Sequence, residues 1–157
     1  MINWSGIPAF VVYAITCLVL CANLFVLWAY SGLTRGRTRT AMNEEDAARF
    51  GATLTATDPP QVARILRAHR NAQASIYPFL LLGLLFVLAG GSAGAAMLIF
   101  GVFTIARLLH SAAYLAGKQP WRTRYFVVGG LATIALVLNI IWLLIHGPSG
   151  FSANPTS

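Results

Sequence analysis

Four long apolar runs divide this 157-residue chain, at residues 7–31, 76–89, 95–115 and 125–145. Each must be either an element of a buried core or a segment in lipid. Composition decides between the two: 57% of the residues are hydrophobic and only 10% charged, against about 25% charged in soluble domains. Too few polar side chains remain to cover a water-exposed surface. Inside a bilayer every backbone amide needs an internal partner, which leaves helices or a closed barrel. Barrel strands alternate apolar and polar positions, whereas these runs are continuous. The chain is therefore expected to be all-α, an integral membrane four-helix bundle forming one domain over residues 1–157.

The first run is long enough to cross a hydrocarbon core of ~30 Å at 1.5 Å per residue, and Pro8 suits its first turn. No basic leader or small-residue cleavage site precedes it, so it reads as a retained span and not a signal peptide. The second run is too short to cross alone. Its helix must take in a polar beginning that includes Arg67, Arg70 and Asn71, which draws the spans at about 7–31, 72–89, 95–115 and 125–145. Residues 32–58 hold all four acidic side chains, and Asn43-Glu44-Glu45-Asp46 reads as the capped start of a short helix. Asp58 is expected as the N-cap of the next helix, with Pro59 as its first residue. Residues 90–94 form an uncharged hairpin turn, residues 117–124 a basic loop, and a short polar tail closes the chain.

A net charge of +7 could suit nucleic acid. The basic residues, however, flank or interrupt apolar runs and form no surface stripe, so no nucleic-acid partner is expected. With four spans the first and third connections share one membrane face, and ten of the eleven Lys and Arg residues lie in or beside them. The exception is Arg107. The positive-inside rule then puts both basic connections in the cytoplasm and both termini outside. A prokaryotic cytoplasmic membrane is the expected location, or the endoplasmic reticulum in a eukaryote. Cys17 and Cys21 lie within the first span and are read as small packing residues, not as a disulfide.

An ionisable residue inside a span costs ~2.5–3.5 kcal/mol on the mildest scale and faces a bundle interior or cavity. Arg107, His110 and Tyr114 fall at i, i+3 and i+7 on one helical face, with Ser111 beside them. Arg67, Arg70 and Asn71 share an arc of about 100° on the second helix. Two such faces at similar depth predict one cationic pocket near the cytoplasmic interface, suited to an anion and in particular to a carboxylate. Blander roles remain open: Arg64, Arg67 and Arg70 as anchors that reach anionic headgroups, and His110 as a hydrogen-bonded packing residue. Asn23 and Asn139 are expected to hydrogen-bond between helices. No metal-ligand set is assigned.

Several segments together resemble one family. Arg67-Ala68-His69-Arg70-Asn71 with Ile76-Tyr77-Pro78-Phe79 looks like the second-helix signature of the MAPEG proteins, the membrane-associated proteins in eicosanoid and glutathione metabolism. The segment from Arg107 through His110 to Tyr114 resembles the family's third helix, and Pro120-Trp121-Arg122 the loop before its last helix. Pro8-Ala9-Phe10 and Glu45-Asp46-Ala47 fit as well, so the resemblance spans residues 7–146. It runs first to the microsomal prostaglandin E synthase branch and then to the microsomal glutathione transferase branch.

The resemblance implies a homotrimer with glutathione held between subunits near the cytoplasmic face. It implies that Arg35, Arg67, Arg70, Asn71, His110 and Tyr114 bind the tripeptide. Arg122 matches the arginine beside the sulfur, Thr123 stands where the prostaglandin synthase has a serine, and Asp46 matches an acid assigned to proton transfer. A helix N-terminal charge is the plainer role for Asp46. The implied activity is attack of the glutathione thiolate on a lipophilic substrate from the bilayer, an electrophile or an (endo)peroxide, as a transferase, peroxidase or isomerase. A non-catalytic, lipid-binding scaffold of the same fold is the alternative. It is favoured by Ala74, which replaces the glutamate usual three residues after the asparagine. Ala63 likewise replaces a residue that is often acidic in relatives.

Overall fold

The structure, a computed structural model, describes residues 6–146; the closing polar tail lies outside them. Five helices and two very short strands follow in order: α1 (Pro8–Thr38), β1 (Thr40–Ala41), α2 (Glu44–Phe50), β2 (Thr53–Leu54), α3 (Pro60–Leu88), α4 (Ala93–Leu115) and α5 (Gln119–His146). Four of the helices, α1, α3, α4 and α5, are long and apolar enough to cross a membrane. The expectation of four helical spans is met, and the two-residue strands are an addition to it.

The helices run farther than their apolar runs. α1 continues to Thr38, where the hydroxyls of Thr34 and Thr38 accompany the last turns by bonding back to the Tyr30 and Thr34 carbonyls at 2.8 and 3.1 Å. It stops at Arg39, whose left-handed backbone (φ 48°) lets its amide reach the Arg35 and Gly36 carbonyls. α5 begins at Gln119, so residues 119–124, expected as loop, are helical, and a short turn at Gly117 (φ 68°) makes the reversal. Pro120 in the first turn explains this, because a missing N–H costs nothing there.

The basic connection between α1 and α3 is folded. Asn43 caps α2, its side-chain oxygen accepting from the Asp46 amide at 2.8 Å, as the sequence suggested. β1 and β2 pair in parallel, Thr40 with Thr53 and Ala41 with Leu54, closing the connection into a loop around α2. Asp58 does not cap α3; Pro59 holds that position. The Asp58 carboxylate instead accepts a two-pronged bond from Arg35, Nε to Oδ1 at 2.8 Å and Nη2 to Oδ2 at 3.0 Å. A bidentate, charge-assisted pair outcompetes a single cap bond to a backbone amide. It ties the end of α1 to the start of α3.

The core is aromatic. Phe79 of α3 stacks on Phe103 of α4, and Phe100 meets both Phe79 and Phe86 edge-on at 5.6 Å. Gly83 lets Tyr13 of α1 lie across α3, since a Cβ there would come within 3.1 Å of the ring. Asn23 donates to Ser111 at 3.2 Å, joining α1 to α4 as expected. Asn139 makes no such bond among the described residues of one subunit. Both cysteines are free, Cys17 half-buried and Cys21 exposed on α1.

The Arg35–Asp58 pair is partly exposed, with side chains 38% and 15% accessible, so it contributes about 1 kcal/mol at most. Asp58→Asn should leave the four long helices intact but loosen the connection. Tryptic cleavage after Arg39 and Arg49 is then expected to accelerate several-fold. An unchanged cleavage rate would show that the β1–β2 pair holds the connection unaided.

Candidate functional site

α4 supplies the centre of the site. Its Arg107 and His110 are buried, 2% and 3% exposed, although both are polar and lie within a span. The reason is α5, which packs closely along this face. Arg107 lies between the rings of Phe103 and Phe126, 5.5 and 5.3 Å from their centroids. Its Nη2 occupies space that a Cβ on Gly129 would enter at 2.9 Å, so any side chain at that position would displace the guanidinium from its present place. One turn nearer the basic end, His110 Nδ1 meets the backbone carbonyl of Arg122 at 3.0 Å. A carbonyl only accepts, so Nδ1 carries the proton, and in the neutral ring Nε2 is an acceptor.

That bond fixes where Arg122 sits. Its guanidinium lies over the Tyr114 ring at 4.6 Å, and Tyr114 in turn meets His110 edge-on at 5.8 Å. A cavity of about 250 Å³ opens beside them, lined by Asn71, His110, Tyr114, Arg122, Thr123 and Phe126. Two polar atoms at this site, Asn71 Oδ1 and His110 Nε2, are buried with no hydrogen-bond partner. Buried acceptors of that kind cost about 1–3 kcal/mol each when left unpaired. The cavity therefore presents two acceptors, a cation held on an aromatic face, and the hydroxyls of Tyr114 and Thr123. It is suited to a ligand carrying both N–H donors and an anionic group.

Five of the residues singled out from the sequence thus come together: Asn71, His110, Tyr114, Arg122 and Thr123. The other four do not join them within one subunit. Arg35 and Asp46 line a separate groove of about 390 Å³ around the folded connection, and Arg35 is already engaged by Asp58. Asp46 is exposed, with Asn43 Nδ2 donating to its carboxylate at 3.1 Å, which is the plainer helix-start role. Arg67 and Arg70 are exposed on the outer face of α3 and have no partner among the described residues. The single pocket uniting both polar faces is therefore not formed within one subunit; only Asn71 of the α3 arc enters it.

The sequence profile of the MAPEG family matches residues 13–142. The prostaglandin E synthase of Equus caballus is 35% identical over 148 residues, covering 90% of this chain and 92% of that protein. The Homo sapiens prostaglandin E synthase is also 35% identical, over 135 residues, with 82% and 89% covered. Microsomal glutathione S-transferase 1 of Rattus norvegicus is 34% identical over 129 residues, with 78% and 83% covered. This chain belongs to the MAPEG family. It is accordingly an integral membrane protein.

Two features of this cavity were not legible in the sequence. Phe126 closes one wall of the cavity and covers Arg107, and Gly129 accommodates the guanidinium. Both follow Arg122 along α5, Phe126 at i+4 and Gly129 at i+7, on the same helical face. The signal was present, but it is readable only once residues 119–124 are taken as helix. Ala74 is exposed on the outer face of α3 with Arg67 and Arg70. The position of the missing acid therefore faces away from this subunit's own cavity, and Gln73, its neighbour, bonds to the Tyr77 hydroxyl at 3.0 Å.

Proposed function

We propose that this MAPEG protein is a glutathione-dependent enzyme that acts on lipophilic electrophiles or (endo)peroxides drawn from the bilayer. The observation that carries the reading is the cavity in which unpaired acceptors of Asn71 and His110 adjoin a guanidinium held on Tyr114. A tripeptide with amide and amine donors, carboxylates and a thiol matches that donor–acceptor set. The names of the relatives, prostaglandin E synthases and a glutathione S-transferase, support the same chemistry. When bound, glutathione supplies a thiol whose deprotonated form is the nucleophile. Arg122 provides positive charge next to the developing thiolate, and Thr123 offers a hydroxyl donor to it. His110 holds the Arg122 backbone in place, and Asn71 takes a donor from the peptide. Phe126 and the surrounding apolar helices keep water from the reacting centre and give a lipophilic substrate its approach.

The assembly proposed is a homotrimer. On α3 the side chains of Arg67, Arg70, Ala74, Tyr77, Leu81, Leu84 and Leu88 are all exposed and recur at spacings of three and four, the seam pattern of packed helices. Leucines at one end can pack against copies. Arginines at the other end can reach the cavity of a neighbour, where they meet the carboxylates of the tripeptide. Leu84→Cys should therefore cross-link between subunits on mild oxidation, in a background lacking Cys17 and Cys21. A Leu84→Cys protein that stayed monomeric under oxidation and sedimented as a monomer would remove the intersubunit site.

The membrane orientation proposed puts the α1–α3 and α4–α5 connections in the cytoplasm, because ten of the eleven basic residues lie in or beside them. In the same cysteine-free background, Ser92→Cys should react with an impermeant maleimide added outside cells. A cysteine at Glu45 should be protected. The reverse labelling would invert the protein.

Arg122 and Arg70 are assigned different roles, and steady-state conjugation of a lipophilic aryl halide with glutathione varied tests the difference. Arg122→Ala should lower kcat ten-fold or more, at least ~1.4 kcal/mol of barrier, with a smaller effect on the KM for glutathione. Arg70→Ala should chiefly raise that KM, as loss of uniform binding does. Ala74→Glu should lower it if position 74 contacts the tripeptide from the neighbouring subunit. Full turnover in Arg122→Ala would show the roles to be misassigned. An inactive parent with every substrate class would leave the scaffold reading, which Ala74 favours.

A further inference from the structure

A second basic groove lies apart from the cavity described above. It measures about 440 Å³ and is lined by Tyr30, Thr34 and Arg37 of α1, Gln61 and Arg64 of α3, and the apolar side chains Ile65 and Leu115. Arg64 is seven residues from Asn71, about 10 Å along the axis of α3, so the groove does not belong to the glutathione cavity. Its two guanidiniums have no hydrogen-bond or ion-pair partner among the described residues. The four acids of the chain are committed elsewhere: Asp58 to Arg35, and Glu44, Glu45 and Asp46 to the exposed start of α2. Arg64 extends toward the turn between α4 and α5, where its Nη1 lies 3.4 Å from the place a Cβ on Gly117 would take.

The depth of the groove narrows its ligand. α4 has 23 residues, about 34 Å at 1.5 Å per residue, little more than the hydrocarbon thickness. Leu115, its last residue, therefore marks the level of the membrane interface on the basic side. The groove sits at that level, with arginines, a hydroxyl and an amide above and apolar walls below. Tyr30 stands where aromatic side chains favour the headgroup layer. Below it the outward surface is apolar, with Val26 on α1 and Leu108 on α4 exposed. A free anion would use only the polar half of this site, whereas a phospholipid uses both.

We propose that the groove binds the phosphate of an anionic phospholipid in the leaflet on the basic side, held by Arg37 and Arg64 with its acyl chains along α1 and α4. Two guanidiniums match a phosphodiester through paired N–H donors. Basic pockets between helices on the cytoplasmic side are suited to such headgroups. The proposal is independent of the glutathione reading, since no residue is shared.

The test uses the detergent-purified full chain, delipidated and then exposed to phosphatidylglycerol or phosphatidylcholine, with retained lipid counted by native mass spectrometry. Phosphatidylglycerol should be retained in preference to phosphatidylcholine. Arg37→Gln/Arg64→Gln should reduce retention at least five-fold, while Arg49→Gln/Arg124→Gln, which removes the same charge elsewhere, should not. Equal loss in both double variants, or no preference over phosphatidylcholine, would overturn the proposal. Displacement of the lipid by an equal concentration of glycerol phosphate would show a soluble phosphate site in its place. A readout on the unaltered protein guards against misfolding of the variant. Phosphatidylglycerol with a photoreactive headgroup should label peptides containing residues 30–37 and 60–65, and labelling confined to other peptides would reject the groove.

Discussion

Lipid offers a charged side chain no hydrogen bonds, so the protein itself must settle where Arg107 goes, and much of the site follows from how it does so. An arginine at this depth costs ~2.5–3.5 kcal/mol even on the mildest scale. The faces of Phe103 and Phe126 offset part of that, since a guanidinium over an aromatic ring is attracted by its quadrupole. The arrangement requires α5 to lie close on α4, and Gly129 permits the approach. Once the helices are that close, the first turns of α5 pass over His110. The Arg122 carbonyl then receives its Nδ1 proton. Nε and Nη1 of Arg107 remain without protein partners, so the polar character of this face continues inward from the cavity toward the bundle interior.

Much of this was legible from residue order. Apolar run lengths and the placement of charge give four helices and one basic end, because lipid removes most alternatives for the backbone. The i, i+3, i+7 spacing of Arg107, His110 and Tyr114 fixes one face, and the helix supplies the rest of the geometry. Two kinds of information were not in the spacing. Helix ends depend on competing local bonds: Asp58 had a cap position and a guanidinium within reach, and the two charge-assisted bonds prevailed. Helix rotation depends on neighbours: Arg67, Arg70 and Asn71 share an arc, yet only Asn71 turns inward to α4 and α5. The two arginines lie on the side of α3 that the subunit leaves open.

That open side gives the proposed trimer an internal tension. Leu81, Leu84 and Leu88 at one end of the stripe gain packing when copies of α3 approach, whereas Arg67 and Arg70 at the other end bring like charges together. Repulsion between charges about 4–6 Å apart is modest in water but grows as the surroundings become less polar. A bound peptide with two carboxylates would offset it, and its binding would then favour the assembled state by the same free energy that assembly lends to binding. The family pattern that this sequence resembles has a glutamate at the position of Ala74, one turn from Arg70, and in the proposed trimer such an acid would neutralise part of this repulsion within the protein. With alanine there, the whole of that neutralisation falls to the ligand. In the proposed trimer Ala74 would therefore do more than remove one contact: it would make the arginine cluster depend on an anion from outside and so tie occupancy of the site to assembly.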